Sequence, residues 1–86
     1  MNATDAARPV LFFEPGCPFA LRLRILLSAY GVPHTAVRFR DDEAGAARVR
    51  EVNGGNEISP TVQVGPCWLT NPTWREVASA YAAVLR

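Results

Sequence analysis

A four-residue apolar run, Val10-Leu11-Phe12-Phe13, breaks at Pro15-Gly16 and is followed at once by Cys17-Pro18 and a long helical pattern. The run is short and bounded by turn residues, so it reads as a buried strand rather than a helix. Proline suits the first helical position, where its missing N–H costs nothing. Cys17 therefore stands at a helix start, facing unpaired backbone N–H groups and the positive end of the dipole. That setting favours thiolate over thiol. The junction predicts a βα unit with a reactive sulfur at its corner. Position 20, where a redox dithiol would carry its second sulfur, is alanine, so any chemistry here runs on one sulfur.

The pattern downstream extends this unit. From Pro18 to Tyr30, Phe19, Leu23, Leu26, Leu27 and Tyr30 form one apolar stripe, and Leu21 and Ile25 add a second face. Apolar residues on both sides predict a mostly buried helix, stopped by Gly31 and Pro33. His34 to Arg40 alternates as a second strand, so strand, helix and strand make a βαβ unit. Asp41-Asp42-Glu43 supplies a cap and negative charge for another helix, with Arg48 and Arg50 toward its far end. Its apolar content is thin, which predicts a peripheral helix. After the turn Asn53-Gly54-Gly55-Asn56, Thr61-Val62-Gln63-Val64 reads as a strand entered through Pro60. Gly65-Pro66 turns the chain into a short hairpin partner, Cys67-Trp68-Leu69. The last helix is predicted with Asn71 as cap, Pro72 at its first position, and Val77, Ala80, Tyr81 and Val84 inward. The order is β-α-β-α-β-β-α.

Composition narrows the classes of function. Eighty-six residues suit one domain with a modest core. Residues 1–8 read as a loose tail and 9–86 as the domain; the tail has no apolar segment of the kind a signal peptide carries. A formal net charge of +1 gives no basic footprint for nucleic acid, and no apolar run has the length of a membrane span. A reducing, cytoplasmic setting is expected, and with it two free thiols rather than a disulfide. Cys67 lies too far along its hairpin to reach Cys17 and is expected to pack beside Trp68. Arg22 is expected on a solvated flank, and Trp68 and Trp74 in or near the core. Two cysteines and the single histidine, His34, lack metal-ligand spacing, so no protein-only metal site is predicted.

The ordered segments Pro15-Gly16-Cys17-Pro18-Phe19, Asn53-Gly54-Gly55-Asn56-Glu57, Ile58-Ser59-Pro60-Thr61-Val62 and Leu69-Thr70-Asn71-Pro72 resemble the thioredoxin superfamily. Within it they resemble the glutaredoxin and mycoredoxin-like group, and the match spans Val10 to Val84. The run Cys17-Pro18-Phe19-Ala20 with Arg22 is also similar to the N-terminal domain of omega-type glutathione transferases. The resemblance implies a thioredoxin-like α/β fold with a four-stranded mixed sheet and three helices. It implies Cys17 as nucleophile, facing a cis Pro60. It also implies a substrate site from Pro18, Phe19, Ser59, Pro60, Thr70 and Asn71, with the Ser59 backbone pairing to the substrate as an added strand does.

The function this implies is monothiol thiol–disulfide exchange on mixed disulfides between proteins and a low-molecular-weight thiol. Mycothiol or glutathione would be the co-substrate, with no tightly bound cofactor and a monomeric enzyme acting on thiolated or disulfide-bearing proteins. Glu14 occupies the position where glutathione users often carry lysine. A carboxylate there is expected to repel a glutathione carboxylate and to raise the pKa of Cys17. Two alternatives belong to other classes: an iron–sulfur carrier sharing a cluster between two chains through Cys17, and a redox-inactive interaction module.

Overall fold

A computed structural model describes residues 7–86. Strand β1 (Val10–Phe13) leads through a tight turn into helix α1 (Pro18–Ala29) and then β2 (Thr35–Arg38). A 3-10 turn (Phe39–Asp41) precedes α2 (Glu43–Val52). The hairpin β3 (Thr61–Val64) and β4 (Cys67–Thr70) is followed by α3 (Trp74–Val84). Among the described residues there are thus four strands and three α-helices. The sheet order is β2-β1-β3-β4, with β1 parallel to β2 and antiparallel to β3. This is the mixed α/β arrangement the sequence predicts. No helix among the described residues is long and apolar enough to cross a membrane.

Alternation along β1 builds a core on each face of the sheet. Leu11 joins Leu23 and Leu27 of α1, Val62 and Val64 of β3, and Val77 and Tyr81 of α3. Phe12 points the other way, toward Phe39 and toward Ala46 and Val49 of α2. Helices α1 and α3 therefore cover one face and α2 the other. The central strands β1 and β3 contribute Leu11, Val62 and Val64, all fully buried.

Helix ends follow local chemistry. Tyr30 closes α1, and Gly31, at φ 68°, takes the left-handed conformation that lets the chain double back. The Val32 N–H donates to the Leu27 carbonyl at 2.8 Å and the Gly31 N–H to Ser28 at 3.2 Å, a Schellman arrangement. Asp42 caps α2 by accepting from the Gly45 N–H at 2.9 Å, and Arg50 ties that helix to the following loop through Glu43 and Glu57, both at 2.6 Å.

Four expectations are corrected. Helix α1 is not mostly buried: Ala20, Leu23 and Leu27 face the core, whereas Leu21 and Ile25 are 55% and 58% exposed and Phe19 and Tyr30 are exposed as well. Helix α2 is not peripheral, because small residues let it approach closely; Ala46 and Val49 are buried against Phe12. Helix α3 is capped by Thr73 rather than Asn71. The Thr73 hydroxyl accepts from the Glu76 N–H while the Glu76 carboxylate accepts from the Thr73 N–H, a full capping box. Of the expected tail, residues 1–6 lie outside the described residues, but Ala7 is buried in the core and Arg8 is held. The Arg8 guanidinium donates to the His34 carbonyl at 2.8 Å and to the Thr35 hydroxyl at 3.1 Å.

The close approach of α2 yields a test. A Cβ on Gly45 would collide with the Phe12 ring and crowd the Asp42 carboxylate. Alanine favours a helix over glycine by roughly 0.5–1 kcal/mol, but overpacking costs about 1–3 kcal/mol. The steric cost wins. Gly45→Ala is expected to lower the urea midpoint of unfolding with an unchanged slope.

Candidate active site

Strand register assembles the site. Phe12 pairs with Thr61 across the antiparallel β1–β3 ladder, so continuing that register sets Phe13 opposite Pro60 and Glu14 opposite Ser59. The Glu14 N–H donates to the Ser59 hydroxyl at 3.0 Å. In the β3–β4 ladder Thr61 pairs with Thr70, which brings Asn71 beside Pro60. The Asn71 N–H donates to the Pro60 carbonyl at 2.8 Å. One end of the sheet thus gathers the start of α1, the 59–60 loop and the entry to α3. The Ser59–Pro60 bond is cis, as the resemblance implies.

Cys17 is the N-cap residue of α1, half-buried, with extended backbone angles. The turn that delivers it uses Gly16 at φ 86° and a hydrogen bond from the Cys17 N–H to the Glu14 carbonyl at 3.2 Å. In the thiol form Sγ lies 3.6 Å from the Ser59 carbonyl, to which it can donate. The thiol pKa is held below its ordinary value. The Ser59 side-chain hydroxyl is the main cause; its oxygen also accepts from the Glu14 N–H. Partial burial works in the opposite direction, and the N–H groups of Ala20 and Phe19 add to the lowering. The expected effect of Glu14 is corrected: its carboxylate is not among the causes, and its backbone contributes by positioning Ser59.

Two cavities flank this centre. A groove of about 590 Å³ runs between α1 and the entry to α3, lined on one wall by Phe19, Arg22, Leu23 and Leu26 and on the other by Asn71 to Arg75. A smaller cavity of about 250 Å³ contains Cys17 itself, with Phe13, Gly16, Pro18, Leu21 and Arg24. Phe19 and Asn71 therefore line the large groove and Pro18 lines the small one. The Thr70 side chain faces elsewhere: its hydroxyl donates to Asn53 Oδ1 at 2.6 Å. Arg22 is exposed at the groove, as expected.

His34 immediately precedes β2, at the end of the sheet away from Cys17, where its Nδ1 is 2.9 Å from the Val32 carbonyl. Cys67 pairs with Val64 at the far end of the β3–β4 ladder. Both cysteines are free, and Cys67 is exposed rather than packed beside Trp68. Trp68 instead lies near Phe12, with ring centroids 6.0 Å apart, and Trp74 stacks on Tyr30 at 3.9 Å. Among the described residues no group of three or more His, Cys, Asp or Glu side chains is placed to hold a metal ion.

Asn53 is the residue sequence reading missed. Its Nδ2 donates to the Val49 carbonyl at 3.0 Å and to the Thr61 hydroxyl at 3.2 Å. The Thr61 hydroxyl in turn donates to the Ile58 carbonyl at 2.6 Å. One amide therefore ties the end of α2 to the loop carrying Ser59 and Pro60. Its place beside two glycines signalled only a turn.

Two proteins of Mycobacterium tuberculosis described as glutaredoxins, from strains CDC 1551 / Oshkosh and H37Rv, are each 39% identical to this chain over 62 residues. The matches cover 71% of this chain and 74% of each relative. The chain belongs to the glutaredoxin family. No model of a protein family matches it. Among solved structures, the solution structure of a glutaredoxin from Brucella melitensis superposes with a TM-score of 0.60 at 18% identity, covering 90% of this chain and 80% of that one. The holo form of glutaredoxin C1 from Populus tremula x tremuloides gives the same score and identity over 94% and 83%. These likenesses establish the glutaredoxin fold, and the mycobacterial relatives support a glutaredoxin-like redox function.

In this glutaredoxin-type site, Ser59→Ala removes the hydroxyl that most favours the thiolate. The midpoint of iodoacetamide alkylation against pH is expected below the ordinary cysteine value, about 8.5, in the unaltered protein, and higher in the variant. Alkylation at neutral pH is expected to fall several-fold. Between the lowered folded value and the unfolded value, the unfolded chain binds more protons, so Cys17 adds stability as pH rises through that window.

Proposed function

We propose that this chain is a monothiol glutaredoxin that reduces mixed disulfides between proteins and a low-molecular-weight thiol through Cys17. The observation that carries the reading is the Cys17 sulfur itself. It is half-buried, held toward the thiolate by Ser59 and the first turn of α1, and lines a cavity of its own, while the Ser59 that precedes the cis Pro60 lies within reach of it. Exchange needs a thiolate with access to the target sulfur, together with a competent leaving thiol.

In the first step the Cys17 thiolate attacks the small-thiol sulfur of the mixed disulfide. A Cys17–small-thiol disulfide forms, and the protein thiolate leaves and takes a proton from water. A second small thiolate then attacks the sulfur attached to Cys17, which regenerates the Cys17 thiolate and releases the symmetrical small disulfide. One free small thiol is consumed per turnover, and the other half of the released disulfide comes from the substrate, so Ala20 is no obstacle. The groove between α1 and α3 has room for the non-reacting part of the small thiol. Its basic side chains, Arg22 and Arg75, meet no carboxylate in its lining. Mycothiol and glutathione are the candidate co-substrates. The proposed setting is the cytoplasm, where small thiols of this kind are kept reduced, and the proposed working unit is a monomer.

Incubation with glutathione disulfide or mycothiol disulfide, followed by mass spectrometry, tests this. One small-thiol adduct is expected on Cys17 at neutral pH, with Cys67 reacting more slowly. Cys17→Ser is expected to abolish turnover and Cys67→Ser to preserve it. Absence of any adduct on Cys17 with either disulfide would overturn the reading.

A further inference from the structure

A protein mixed disulfide has two halves, and the start of α1 borders two cavities: Phe19 lines the larger, and Cys17 and Pro18 line the smaller. The larger groove between α1 and α3 suits the small thiol. The smaller cavity is walled by Phe13, Leu21 and Arg24 and holds Cys17 itself. It opens along a face of α1 that the fold leaves uncovered. Leu21 and Ile25, one turn apart, are both more than half exposed. Arg24 lies between them in sequence, its guanidinium 4.7 Å from the centre of the Phe13 ring. Among the described residues Arg24 has no ion-pair partner, and α1 carries no carboxylate along its length. Of the residues lining this cavity, Arg24 is therefore the one that carries a charge, and the others are uncharged.

We propose that this cavity and the adjoining Leu21–Ile25 stripe dock the protein half of the disulfide. They select segments with an apolar residue beside the reacting cysteine and a carboxylate two or three residues from it. The proposal rests on the exchange reading above and names its protein substrates by chemistry. Charge complementarity supplies the sign: an unpaired guanidinium on an apolar ledge favours an acidic partner and disfavours a basic one. Spacing supplies the reach. Arg24 stands seven positions after Cys17, a helical rise of about 10 Å, which an extended chain covers in about three residues. The Phe13 ring holds the guanidinium in place through its face, so less ordering is needed when a carboxylate arrives.

The test uses synthetic peptides bearing one cysteine as a mixed disulfide with 2-mercaptoethanol, a neutral cap that keeps the small-thiol side constant. One peptide carries leucine beside the cysteine and glutamate three residues away on either side. Its match carries lysine in place of glutamate. Single-turnover reduction by the full chain is followed by quenching and mass spectrometry. The acidic peptide is expected to react about two- to five-fold faster at low salt, the range for one exposed ion pair, with the ratio falling toward one in 1 M salt.

Arg24→Glu is expected to invert the ratio, and Arg24→Gln to bring it near one. Arg48→Glu makes the same charge change on the opposite face of the sheet and is expected to leave the ratio as it was. Circular dichroism confirms that each variant is folded. A ratio that ignores both Arg24 variants, or that Arg48→Glu shifts as much as Arg24→Glu, overturns the docking site while leaving the exchange chemistry standing. If neither peptide reacts with Cys17 at all, the exchange reading falls and the docking site with it.

Discussion

The antiparallel register of β1 against β3 is the constraint on which the site depends. Leu11 opposite Val62 and Phe12 opposite Thr61 fix where the first strand ends relative to the 59–60 loop. A slip by one residue would turn Leu11 and Val62 away from α1 and α3 and expose a fully buried pair. The hydrophobic core therefore specifies, at a distance, that Glu14 meets Ser59 and that Cys17 meets both. Asn53 secures the second side of this junction through Thr61, and the Asn71 N–H secures the third through the Pro60 carbonyl.

The electrostatics of Cys17 follow from that placement. A helix start alone offers the N–H groups of Phe19 and Ala20, yet their effect ranks below that of the Ser59 hydroxyl. The Glu14 N–H holds that hydroxyl oxygen at the end of β1, next to the turn that delivers Cys17. Partial burial opposes the thiolate but also supplies the walls of the cavity around it. Activation and recognition are thus two consequences of one degree of exposure: a fully solvated sulfur would have no walls, and a fully buried one would remain protonated.

Much of this was legible in the residues. The apolar run before Pro15-Gly16, the proline after Cys17, and the glycine after Tyr30 fixed β1, the corner and the end of α1 through local chemistry alone. Local chemistry misled where a residue had a distant partner. Asn71 has the composition of a helix cap, but its backbone sits at φ 47° with its N–H committed to Pro60, so the cap moved to Thr73. Asn53 looked like turn punctuation because its three side-chain hydrogen bonds reach residues 4, 8 and 17 positions away. Gly45 and Ala46 read as thin apolar content, whereas their small size is what lets α2 close on Phe12. Periodicity counts apolar side chains; it does not report how near a helix can come.

Helix α1 shows the same limit with a functional consequence. Its sequence carries more apolar surface than one helix face can bury, and burial all round was the natural expectation. Among the described residues no element covers its second face: α3 meets one flank, and α2 lies on the opposite side of the sheet. Leu21 and Ile25 therefore stay in water, at a cost of roughly 25 cal/mol for each Å² of apolar surface left uncovered. A surplus of this kind at random positions would need no explanation. Here it runs along the helix that Cys17 caps and flanks Arg24, which has no counter-ion among the described residues. A thiol exchanger must bring a second protein's sulfur to its own, and this unburied stripe is where covering the helix and reaching the sulfur become the same event.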